Sequence, residues 1–107
     1  MEPMPGARVL FFAKLDPEQG PGFEAAFAEV AEKVRDTPGM TANLLLREEG
    51  DPGSYVVVSE WESREAFLAW EEDPSHREVT KPLQAFWSGA GTQRHVYDVA
   101  VGWSATA

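Results

Sequence analysis

The chain has 107 residues, 18 acidic against 9 basic side chains, and no cysteine. That length suits one domain with its own core, so residues 1–107 are read as a single unit, and a net charge of −9 argues against phosphate backbones and anionic lipid, leaving no nucleic acid or membrane among the expected partners. The missing cysteines exclude disulfides, thiolate nucleophiles, zinc ribbons and cysteine-held clusters.

The opening "MEPMPGARV" shows neither a basic start nor a long apolar run before a cleavage site. No later stretch approaches the ~20 apolar residues of a membrane helix, and a cytoplasmic location is expected. "ARVLFFAKL" (Ala7 to Leu15) is apolar and β-rich, and the turn cluster "DPEQGPG" after it makes it a first strand. From Gly22 the period changes. Phe23, Phe27, Val30 and Val34 are spaced four, three and four apart, one stripe of a helix that Pro38 and Gly39 end. "MTANLLLRE" is a second strand, and "EGDPGS" should return it as a hairpin into "YVVVSEW". Ser63 is placed to cap a short helix from Arg64 to about Glu72, and Ser75 with Glu78 forms a possible capping box for the next. Pro82 should kink or break that helix, although Val79, Leu83 and Phe86 keep helical spacing across it. "SGAGT" is a loop without the lysine and following helix of a phosphate loop, and "QRHVYDVAVGW" is a fourth strand.

The order β, α, β, β, α, β is that of an α+β, ferredoxin-like fold: a four-stranded antiparallel sheet with helices on one face. Alternation places Tyr55, Val57, Ser59 and Trp61 on one side of the third strand and Val56, Val58 and Glu60 on the other, with Leu44 and Leu46 on one side of the second strand. Both faces are largely apolar, and helices cover only one. A second copy packed sheet to sheet would cover the other, so a symmetric homodimer is expected.

The run "VVVSEWESREAFLAWEEDPSHRE" resembles the antibiotic biosynthesis monooxygenase family of dimeric α+β barrels, through Trp61-Glu62-Ser63 at a strand end, Ala66-Phe67 in the helix and Ser75-His76-Arg77 beyond it. The resemblance is clearest from Pro38 to Arg77. Within the family the polyketide oxygenases carry an asparagine four residues before the strand-end tryptophan, where this chain has Val57, and a tyrosine six residues after it, where this chain has Phe67. The heme-degrading branch pairs a helix tryptophan with an iron-ligating histidine ten residues on; Trp70 matches, but that histidine's position is Thr80.

What the resemblance implies is a monooxygenase that needs no cofactor and turns an aromatic polyketide-like phenol into a quinone. The alternatives are a polyketide cyclase of the same fold and a non-catalytic module that binds heme or another flat ligand. Oxygen in its triplet ground state reacts sluggishly with closed-shell molecules. Without metal or flavin the electrons must come from the substrate's own anion, so the protein has to enclose a flat ring, favour its ionised form and exclude water. Tyr55, Ser59 and Trp61 from the third strand, with Phe67, Trp70, Phe86 and Trp87 from the helices, are candidate pocket residues; for each ring the alternative is ordinary core packing. Ser59 and Asn43 are candidate hydrogen-bond donors to a quinone oxygen, or partners of nearby backbone. His76 and His95 titrate near neutrality and are the candidate bases, the alternatives being an exposed helix start and the sheet rim. The two histidines have no metal-ligand spacing, so no metal site is expected. Arg47, Lys81 and Arg94 are the cations best placed to meet an anion, with surface ion pairing as the alternative.

Overall fold

The computed structural model describes residues 6–87 and 92–105. Strand β1 (Ala7–Lys14) leads through a 3-10 turn at Pro17–Gln19 into helix α1 (Gly20–Lys33); β2 (Met40–Arg47) and β3 (Ser54–Trp61) follow, then α2 (Arg64–Glu72), α3 (Pro74–Val79), α4 (Lys81–Trp87) and β4 (Gln93–Asp98). The strands form one antiparallel sheet in the order β2-β3-β1-β4, the ferredoxin-like arrangement expected from the sequence.

Helix α1 buries the stripe read from its spacing: Phe23, Phe27 and Val30 within it and Val34 at its end are each at most 8% exposed. It starts at Gly20, earlier than the change of period at Gly22 suggests. Asp16 accepts a bond from the Glu18 amide and opens the 3-10 turn that feeds the helix, and Gly20 lies so near Tyr55 that a Cβ there would meet the phenol oxygen at 2.8 Å. The β2–β3 hairpin closes through Gly53, at φ +92°, where a side chain would run into the Leu15 carbonyl.

Ser63 caps α2, its Oγ accepting from the Ala66 amide at 3.1 Å. The cap of α3 differs from the sequence expectation. Pro74 occupies the first helical position, so Asp73 rather than Ser75 is the N-cap and accepts from the Ser75 amide at 2.9 Å. The helical region then breaks at Thr80, whose hydroxyl donates to the His76 carbonyl, because Pro82 has no N–H to return to Glu78. Strand β4 is shorter than "QRHVYDVAVGW" suggests: Asp98 already pairs with Ala7, the first residue of β1, so the chain beyond it has little partner strand left. The loop read at "SGAGT" falls mostly on residues 88–91, outside the described residues.

Two clusters fill the space between sheet and helices. Leu15, Phe23, Phe27, Val30, Val34, Tyr55 and Leu83 form the larger, and Ala7, Val9, Trp61 and Phe67 the smaller. The other sheet face carries Phe12, Leu44, Leu46 and Tyr97, all exposed, beside half-buried Val56 and Val58, and among the described residues no element covers it.

Candidate active site

Between the two clusters lies a cavity of about 170 Å³. The sheet supplies its floor through alternation: Val9 and Phe11 from β1, Asn43 from β2, and Val57, Ser59 and Trp61 from β3. These positions are in register, since Ser59 stands opposite both Val9 and Asn43, and Val57 opposite Phe11. The helices form the other walls with Phe27, Val30 and Val34 of α1, Phe67, Trp70 and Glu71 of α2, His76 of α3, and Thr80 and Leu83 around the start of α4. A cavity of about 150 Å³ holds a benzene molecule. The enclosed part therefore takes one ring, and the rest of a polycyclic ligand has to pass its open edge.

Trp61 is 1% exposed. Its Nε1 donates to Ser59 Oγ at 2.8 Å, and its ring meets Phe67 edge-on at 5.5 Å. That bond uses a lone pair of the serine oxygen and leaves the hydroxyl its own proton to donate. His76 is half-buried, with its ring edge-on to Trp70 at 5.0 Å between centroids. Burial lowers its pKa; Glu71 and Asp73 pull it up by less, and Arg77 pushes it further down. A neutral imidazole at physiological pH can accept a proton.

Of the candidate site residues, the structure brings Asn43, Ser59, Trp61, Phe67, Trp70 and His76 to the cavity. Tyr55 and Phe86 do not line it. Tyr55 sits at the far end of β3, buried in the larger cluster edge-on to Phe23, with its hydroxyl donating to Glu24 at 2.6 Å; desolvation and the neighbouring Glu24 carboxylate raise its pKa, and Arg47 works in the other direction. Phe86 packs against Phe23 at 5.6 Å. His95 stands opposite Leu10 on the other sheet face, exposed and stacked on Tyr97, so it does not reach the cavity. The side chain of Trp87 lies outside the described residues.

Sequence reasoning did not place Glu71 at the cavity, and it named Arg94 together with Arg47 and Lys81 as cations placed to meet an anion, without telling which of the three faces the site. Glu71 and Arg94 both line it, joined by a bidentate ion pair at 2.6 and 2.7 Å. The alternation of β4 held the signal, because Arg94 shares its face with Val96, which packs on the inner cluster. Arg47 and Lys81 pair with Glu24 and Glu78 away from the cavity.

Among the described residues no three histidine, aspartate or glutamate side chains come together as a metal site. At the position of the heme-degrading branch's iron ligand, Thr80 donates its hydroxyl to the His76 carbonyl, and the imidazole that lines the cavity lies one helical turn away from it.

The family model for antibiotic biosynthesis monooxygenases matches residues 7–81. Protein SchA of Streptomyces halstedii is 30% identical over 92 residues, 84% of this chain and 24% of that protein. A heme oxygenase (mycobilin-producing) of Mycobacterium tuberculosis is 43% identical over 56 residues, 52% of this chain and 53% of that one. The chain thus spans about a quarter to a half of the length of these relatives. Among solved structures, SnoaB, a cofactor-independent oxygenase from Streptomyces nogalater, superposes with a TM-score of 0.68 at 22% identity over 95% of this chain and 97% of that one. A conserved protein from Methanosarcina mazei Go1 gives a TM-score of 0.75 at 17% identity, over 88% and 92%. At such identities the structures speak for the fold, and the match over 7–81 speaks for the family: the chain is a member of the antibiotic biosynthesis monooxygenase family.

Proposed function

We propose that the chain is a monooxygenase that needs neither metal nor flavin and converts an aromatic polyketide-like phenol into a quinone in the cavity between sheet and helices. The observation that carries this reading is His76, a half-buried imidazole in the wall of an aromatic-lined cavity, where burial lowers its pKa. For a hydroxyanthrone the balance is substrate plus O₂ giving quinone plus water. His76 takes a proton from the bound phenol or its enol, and the resulting anion passes one electron to oxygen. Radical and superoxide join at the ring carbon, and the peroxide takes up a proton, loses water and leaves a carbonyl. Trp61, Phe67 and Trp70 hold the ring and exclude water, while Ser59 and Asn43 offer hydrogen bonds to its oxygens.

The two departures from the polyketide oxygenases fall inside this site, since Val57 and Phe67 both line the cavity. In place of those two polar groups, this reading uses Ser59, Asn43 and His76. Support also comes from the fold likeness to SnoaB, itself described as a cofactor-independent oxygenase. The uncovered sheet face adds an inference about assembly: two copies packed face to face would hide Phe12, Leu44, Leu46 and Tyr97, which are exposed in the single chain.

A second reading is a module that binds a flat ligand without turnover; the 43% identity over 56 residues to a protein described as a heme oxygenase supports a flat ligand and does not bear on turnover. Oxygen uptake with a hydroxyanthrone separates the readings. Uptake above the uncatalysed rate with a quinone product supports the oxygenase. Absence of uptake refutes it and leaves a cyclase or the binding module, and a Soret band on adding hemin then favours the latter.

A further inference from the structure

Among the described residues that line the cavity, Glu71, His76 and Arg94 carry or can carry a charge, contributed by α2, α3 and β4. Arg94 donates from Nε and Nη2 to the two oxygens of Glu71, and its guanidinium carbon stands 5.2 Å from the centre of the Phe67 ring. With side chains 42% and 33% exposed, the pair stands at the open edge of the cavity, bridging β4 to α2. A guanidinium ion pair in that position adds little net stability, because water screens it on one side. Two oxygens of another anion can take the place of the Glu71 carboxylate in the same fork of donors. Phe67 meanwhile holds the guanidinium plane against the cavity wall.

We infer that Arg94 is the anion-positioning residue of the cavity: it exchanges Glu71 for the ionised oxygen of the bound aromatic ligand, and Glu71 is the displaceable counter-ion that keeps it in place beforehand. This rests on the reading of the cavity as a site for an ionisable phenol. One ring fits inside, and Arg94, part-exposed in the lining, is within the part of the site that an oxygen on a projecting ring would meet. The two members of the pair thus act on the ligand with opposite sign. Arg94 favours its anion, and Glu71 opposes that anion by competing for the same donors and by its charge.

A hydroxyanthraquinone tests this, because oxygen leaves it unchanged and its absorption moves to longer wavelength when it ionises. The bound probe is titrated against pH with the unmodified protein and with Arg94→Gln, Arg94→Lys and Glu71→Gln, each checked for native circular dichroism. The bound probe should ionise at lower pH than the free probe. Arg94→Gln should weaken binding of the ionised form about tenfold, which is about one unit upward in the probe's pKa. Arg94→Lys should fall between, and Glu71→Gln should move the pKa the other way and tighten binding of the anion. Shifts of the same sign for Arg94→Gln and Glu71→Gln, or no shift in either, would mean that the pair only braces the wall, and the assignment would be overturned. Failure of the unmodified protein to bind the probe at all would instead overturn the reading of the cavity, and this inference with it.

Discussion

Replacing His76 by glutamine removes the titratable base and keeps a polar side chain of similar reach. General base catalysis contributes about 10²–10⁴ in rate, which is about 3–5 kcal/mol of barrier. The structural cost is smaller. The ring loses an edge contact with Trp70 at 5.0 Å, worth about 0.5–1.5 kcal/mol, and in a domain of this size each kcal/mol lowers Tm by about 4–8 °C. The His76→Gln protein should therefore stay folded at room temperature and lose at least about a hundredfold in oxygen uptake with a hydroxyanthrone. The pH profile adds a signed test. Burial holds the His76 pKa below its usual value of about 6.5, so the acid limb of kcat/KM should lie below that pH and vanish in the variant. The same depression means that the folded state favours the neutral ring. That contribution to stability is complete above the ordinary histidine pKa and is lost as pH falls through the lower folded-state value. His95→Gln, on the opposite sheet face, should leave rate and profile unchanged. A His76→Gln protein within threefold of the original rate, or one whose acid limb has not moved, would refute His76 as the base.

Gly53→Ala places a methyl group against the Leu15 carbonyl at a position with φ +92°, so it should cost more than about 2 kcal/mol and lower Tm by more than about 8 °C; an unchanged melting curve would contradict the packing of the hairpin turn. Sedimentation equilibrium should give twice the protomer mass, and Leu44→Glu with Leu46→Glu should return it to one protomer, since both side chains lie nearly half exposed on the uncovered face. A monomeric unmodified protein would contradict the face-to-face packing.

Much of the architecture was readable because burial imposes a period. The spacing of Phe23, Phe27, Val30 and Val34 marks a helix with one face in the core, and the alternation from Tyr55 to Trp61 correctly assigns those side chains to the helix-facing side. Alternation gives the face of a strand but not the position along it. Tyr55 and Trp61 share a face six residues apart, about 20 Å along the strand at about 3.3 Å per residue, so one belongs to the core beside α1 and the other to the cavity. Phe86 eluded the reading for a related reason: helical spacing marks it as inward-facing without saying which cluster it meets, and that depends on how α4 docks on α1 after the break at Thr80. His95 was assignable in principle, because its parity with Tyr97 points it away from Arg94 and Val96. The Glu71–Arg94 contact joins residues 23 apart in the chain, and nothing short of the docking of α2 over β4 pairs those two among so many charges.

Turnover under labelled dioxygen tests the proposed chemistry most directly. With ¹⁸O₂ and a hydroxyanthrone, the quinone should carry one labelled oxygen atom per molecule and the other atom should leave as water, at a rate set by the protein and lost in His76→Gln. A product without label, or label appearing at the same rate without the protein, would contradict the assignment of oxygenase chemistry to this cavity.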